Sequence, residues 1–103
     1  MSRPELEAEI YYLREDEGGR KTPVANNYRG QFHYDGKDWD ASQNFIDKQL
    51  CFPGETVAVL IRTANPIRHI GKFFVGKCFE IREGTTIVGK GVVTKILRRD
   101  FQQ

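Results

Sequence analysis

The chain has 103 residues, enough for one domain and one self-sufficient core. No apolar run approaches the ~20 residues of a bilayer span, which excludes a membrane-spanning helix, and no membrane partner is expected. The net charge of +2 is uneven: residues 1–50 hold 7 Lys/Arg against 10 Asp/Glu, and residues 51–103 hold 9 against 4, so the second half is the candidate for anionic partners.

The opening MSRPELEAE is polar and acidic, unlike a secretory signal, which predicts a cytoplasmic protein. Leu6 to Leu13 alternates strictly: Leu6, Ala8, Ile10 and Tyr12 share one face, and Glu5, Glu7 and Glu9 the other, which predicts a half-buried strand. Arg14 to Asn27 is a polar connection punctuated by Gly18-Gly19 and Pro23. Tyr28 to Tyr34 is the next predicted strand, with Tyr28, Phe32 and Tyr34 inward and Arg29, Gln31 and His33 outward. Asp35 to Gln43 reads as a turn-rich acidic loop around Gly36 and Trp39. Asn44 to Phe52 holds one or two weak strands ending at Leu50-Cys51-Phe52, and Pro53-Gly54 is a turn.

Thr56 to Arg62 is apolar on both faces and reads as a central strand. Asn65-Pro66 breaks it, and Ile67 to Lys77 reads as a loop or hairpin tip carrying Phe73 and Phe74. Phe79 to Leu97 reads as a hairpin. Phe79 and Ile81 point one way, Glu83-Gly84 makes the corner, and the β-branched run from Thr86 loses its alternation at Val92-Val93. Gly89 and Gly91 just before that point predict a bulge or sharp bend. Arg98 to Gln103 reads as a polar tail beyond a core of about residues 5–97. About six strands with regular turn signals predict an all-β barrel or sandwich.

No catalytic or cofactor constellation emerges. Gly71 to Cys78 and Gly84 to Gly91 approach the phosphate-cradling P-loop pattern, but both lack its Ser/Thr and neither opens a helix, so no bound nucleotide is expected. His33 and His69 have no zinc-like spacing to other ligands, so no metal is expected, and His33 is expected to hydrogen-bond at the surface. No nucleophile–base pair suggests an enzyme. Asp35, Asp38, Asp40 and Asp47 read as a solvated acidic loop. Cys51 and Cys78 are expected to be reduced and partly buried. Arg20, Lys21, Arg29, Arg82 and Lys90 are outward cations near strand ends, placed for phosphates or for cross-strand ion pairs.

Four ordered blocks carry a resemblance: EGGRKTPVANNYRGQFHY at Glu17–Tyr34, FPGETVAV at Phe52–Val59, NPI at Asn65–Ile67 and FEIREGTTIVGKGVVTKIL at Phe79–Leu97. Together they resemble the C-terminal β-barrel domain, domain III, of elongation factor Tu. That family has a similar E-G-G-R-x-T-P stretch, a Y-R-x-Q-F strand, a P-G-D/E turn, an H-P-I segment and an I-R-E-G-x-x-x-G-x-G-V-V-x-K-I hairpin. Residues 35–50, residues 71–77 and the tail depart from the pattern.

The resemblance implies a six-stranded antiparallel Greek-key barrel that performs no chemistry. It implies contacts to the aminoacyl-tRNA backbone at Arg20, Tyr28, Gln31, Glu83 and Gly84, and a surface facing a GTPase domain near Gly18, Gly19 and Gln31. With Arg82 added as a neighbouring cation, the leading expectation is a free-standing, non-catalytic module that recognises tRNA or other RNA weakly and salt-sensitively. The alternative is a protein-interaction domain, a homodimer or the partner of a translation-factor GTPase, with Trp39, Phe73 and Phe74 as its apolar contacts; Phe73 and Phe74 read equally as a core cap on an open barrel end if they are buried.

Overall fold

A computed structural model describes residues 3–103. The alternation at the start becomes strand β1, Leu6–Tyr12, whose residues 6, 8, 10 and 12 are buried. It lies at the centre of the sheet because the next long strand in space, β7 (Thr56–Thr63), and the last, β9 (Thr86–Ile96), pair with its two sides. β7 buries Val57, Val59, Ile61 and Thr63 and half-exposes Ala58 and Leu60, so it is central by pairing but buried on one face only.

The remaining strands are β2 (Val24–Ala25), β3 (Gln31–Tyr34), β4 (Lys37–Trp39), β5 (Ala41–Phe45), β6 (Leu50–Cys51) and β8 (Cys78–Glu83). All pairings among them are antiparallel, in the order β4-β3-β8-β9-β1-β7-β5, with β2 and β6 as a separate pair. The sheet curls until its edges meet. Asn27 N–H donates to Gln43 O (3.0 Å), and Gln43 N–H to Tyr28 O (2.9 Å). Six staves therefore form the barrel wall, β1, β7, β5, β3, β8 and β9, while β4 and the β2–β6 pair are additions to the expected six. The described residues contain no α-helix, only short 3-10 turns at Glu15–Glu17, Pro66–His69 and Arg99–Phe101.

The bend in β9 arises from two extra residues. Opposite β8, Ile81 pairs with Gly89 and Arg82 with Ile87, leaving Val88 over; opposite β1, Ala8 pairs with Val93 and Glu7 with Lys95, leaving Thr94 over. The glycines make room for side chains. A Cβ on Gly91 would lie 2.3 Å from Phe79 Cζ, and one on Gly89 would lie 3.1 Å from Ile10 Cγ2. Gly91 thus forms the floor on which the Phe79 ring lies inside the barrel.

The readings of the loops and the tail are corrected. Asp35 to Gln43 is a β-hairpin leading into β5, because Asp35-Gly36 (φ +50° and +77°) is a two-residue turn whose twist matches the strands. His33 Nδ1 lies 2.7 Å from Asp38 Oδ1 across that hairpin, the surface hydrogen bond expected of it. Residues 98–103 are more than a polar tail: Phe101 is fully buried and stacks on Phe73 at 5.7 Å. Phe73, a surface contact in the protein-interface reading, is also fully buried, between Phe101 and Phe32, as a core cap of the barrel end would be.

The segment before β8 and the end of the chain are tied together by Phe73 N–H to Phe101 O (2.9 Å), Gln103 N–H to Phe73 O (2.7 Å) and Gly71 N–H to Asp100 O (2.8 Å). With them sits His69, 1% exposed, among Tyr34, Trp39, Phe73 and Phe101. These pieces plug one end of the barrel with aromatic rings. Both cysteines are free; Cys51 is buried, but Cys78, expected to be partly covered, is exposed.

Candidate nucleic-acid interface

The E-G-G-R stretch builds the other end of the barrel. Glu17 closes the first 3-10 turn by accepting from Arg14 N–H (2.8 Å) and from the Tyr11 hydroxyl (2.6 Å). Gly18 takes a left-handed conformation (φ +91°) that reverses the chain. Gly19 then passes so close to β1's end that a Cβ would lie 2.1 Å from Leu13 O. This path delivers Arg20 to the tip of the β8–β9 hairpin. There Glu83 pairs with Thr86 across a two-residue turn, whose first position is Gly84 with φ +63°.

Glu83 Oε2 accepts from both Arg20 Nη1 and the Tyr28 hydroxyl. The guanidinium also donates to Thr22, from Nε to the carbonyl (3.3 Å) and from Nη2 to Oγ1 (3.0 Å), and lies 5.4 Å over the Tyr28 ring. Burial opposes the Arg20 charge, but the Glu83 hydrogen bond and charge outweigh it and raise its pKa further. Burial first, and then the Glu83 contact, push the Tyr28 phenol above its ordinary range.

Of the six residues read as RNA contacts, the structure brings Arg20, Tyr28 and Glu83 into one hydrogen-bonded cluster with Gly84 at its edge. Gly84 has open space where a side chain would stand, so a ligand can approach its backbone. Gln31 and Arg82 pair across β3 and β8 one step further down.

The outward cations are mostly engaged. Arg82 Nη2 is 2.6 Å from Glu80, Arg29 is 3.1 Å from Asp40 and Lys21 is 3.7 Å from Glu15. Lys90 forms no ion pair among the described residues. Thr22 escaped the sequence reading, because a hydroxyl two residues from an arginine carries no pattern of its own.

The residues read as a protein interface do not form one surface. Gly18, Gly19 and Gln31 belong to the Arg20 end. Trp39 is half-buried against His69, Phe73 is inside, and Phe74 is exposed at the plugged end. Among the described residues no three His, Cys, Asp or Glu side chains gather as a metal site would need, and no helix is long and apolar enough to cross a membrane.

The curled antiparallel topology fits the result of a comparison of the whole sequence. The family model of the elongation factor Tu C-terminal domain matches residues 2–97, nearly the whole chain. The chain belongs to the elongation factor Tu C-terminal domain family.

Proposed function

We propose that this translation-factor barrel acts as a non-catalytic module that recognises the sugar–phosphate backbone of structured RNA, tRNA foremost, at the Glu83–Gly84 corner. One observation carries the reading: Arg20 and Glu83, 63 positions apart, meet in a cluster that also holds Tyr28 beside an open glycine backbone. The guanidinium edge suits a phosphate. The Glu83 carboxylate repels phosphate but accepts from a ribose 2′-hydroxyl, which favours RNA over DNA.

Because most nearby cations already have carboxylate partners, few counterions are released on binding. Affinity is therefore low, and log K falls against log salt with a slope of only about −1 to −2. The test is fluorescence anisotropy with labelled tRNA across a salt series, on the wild type and on Arg20→Ala and Glu83→Ala. The expected result is binding at low salt that both variants weaken. No binding at the lowest salt, or equal binding by Arg20→Ala, refutes it.

A further inference from the structure

The plugged end lies at the far end of β8 from the Arg20 corner and presents a second, different surface. Four large apolar side chains of the 66–77 segment point out of it: Ile67 (75% exposed), Ile70 (44%), Phe74 (43%) and Val75 (61%). The 3-10 turn brings Ile67 and Ile70, three apart, onto one side. The segment is not slack. His69 and Phe73 anchor it in the core, and Gly76 N–H donates to Val93 O (2.8 Å). Lys77 Nζ bonds Asp35 Oδ2 (3.0 Å) and Lys72 O (2.6 Å) while lying 4.9 Å over the Tyr34 ring. A ridge held this way loses little entropy on docking.

Beside the ridge a cavity of about 340 Å³ opens between β3, β4 and the 66–77 segment. Lys37, Arg68 and Lys72 line it and pair with no carboxylate among the described residues, while its one acid, Asp35, is taken by Lys77. Trp39 forms another wall. Its indole Nε1 is buried without a hydrogen-bond partner among the described residues.

We propose that this end docks an acidic, apolar peptide segment of a partner protein, with its carboxylates at Arg68 and Lys72 and its apolar side chains on the Ile67–Val75 ridge. Charge complementarity selects the acidic partner. Three of the four ridge side chains, Ile67, Ile70 and Val75, are aliphatic and offer bases no stacking platform, which favours peptide over RNA. Asp38 and Asp40 line the adjoining cavity, which shares Trp39 and Arg68, and are engaged by His33 (2.7 Å) and Arg29 (3.1 Å); a narrow peptide can keep its carboxylates on the Arg68–Lys72 side, whereas an anionic bilayer would meet the aspartates as well.

The test begins with selection from a random-peptide phage library on the intact protein. The consensus peptide is then titrated, with fluorescence of Trp39, the chain's one tryptophan, as the readout. The expected consensus interleaves Asp/Glu with Leu, Ile, Phe or Trp. Ile67→Asp and Arg68→Glu are each expected to lower its affinity about tenfold or more, and Arg20→Ala to leave it unchanged. No enrichment, a basic consensus, equal affinity in Ile67→Asp and Arg68→Glu, or loss in Arg20→Ala overturns the proposal. So does wild-type binding to phosphatidylserine–phosphatidylcholine vesicles, or self-association, that Ile67→Asp abolishes in place of peptide binding. The peptide and tRNA titrations use different variants, so either reading can fail alone.

Discussion

Ending the chain at Leu97, where the family match stops, removes six residues that read as a polar tail beyond the core. The structure predicts a large loss instead. Phe101 is fully buried, stacked on Phe73 at an interplanar angle of 16° and 5.9 Å from the His69 ring. Truncating a buried Phe to Ala costs about 3–5 kcal/mol in a closed core. The plug sits at a barrel end that can partly collapse, so the low end, about 3 kcal/mol, applies to Phe101→Ala.

Deleting 98–103 also strips the main-chain bonds to Gly71 and Phe73 and costs at least as much. A domain of this length is stable by only about 5–15 kcal/mol. With m of about 1.5 kcal/mol/M, the urea midpoint of Phe101→Ala falls by about 2 M at unchanged m. Phe101→Leu, which keeps most of the volume, costs less than about 1.5 kcal/mol. A midpoint shift under about 0.5 M for Phe101→Ala, or equal shifts for Ala and Leu, refutes the plug as part of the core.

Two further outcomes test the interior. Gly91→Val places atoms against the Phe79 ring and is expected to cost about 1–3 kcal/mol in thermal or urea unfolding. Phe79→Leu in the same chain should recover part of that loss, and strict additivity of the two refutes the contact. Burial lowers the His69 pKa from its ordinary 6.5 to about 4. Between those values the unfolded chain takes up a proton that the folded chain refuses, so stability is full above pH ~6.5 and declines as pH falls towards 4. The decline attributable to His69 is at most about 3 kcal/mol. Urea midpoints from pH 7 to 4.5 should fall more steeply in the wild type than in His69→Gln, and parallel curves refute the assignment. The charged groups around the ring's cavity, Asp38, Asp40 and Arg68, are common to both proteins, so the comparison isolates the imidazole.

The wall of the barrel was legible because its staves obey the two-residue period. Leu6 to Tyr12, Phe32 and Tyr34, and Phe79 and Ile81 all bury the face that alternation assigns them. The bulge was legible from Gly89 and Gly91, although the extra residues are Val88 and Thr94, which only the cross-strand register reveals, and the glycines themselves make room for Ile10 and Phe79. The Arg20–Glu83 cluster was legible only as a resemblance. A pair separated by 63 positions has no local signature, and neither does the Thr22 hydroxyl that orients the arginine. The Asp35-Gly36 hairpin carried its own turn signal, but Lys37-Asp38-Trp39 is too short and polar to read as a strand.

The plug was illegible for a different reason. Phe101 stands alone in a polar stretch, His69 follows a proline break, and Phe73 adjoins a second phenylalanine that faces solvent. Each is a single anchor, and single anchors have no period. Their burial depends on three segments meeting at once, the 66–77 loop, the β3–β4 hairpin and the chain end, of which the last lies beyond the family match at residues 2–97. A loop carrying Ile67, Ile70, Phe74 and Val75 outward stays ordered only with rings beneath it, and the hairpin and the end of the chain supply Trp39 and Phe101. The Arg20–Glu83 corner at one end of β8 and the apolar, cationic face at the other therefore follow separate constraints. A substitution at either end should leave the other's binding intact as long as the six staves between them hold.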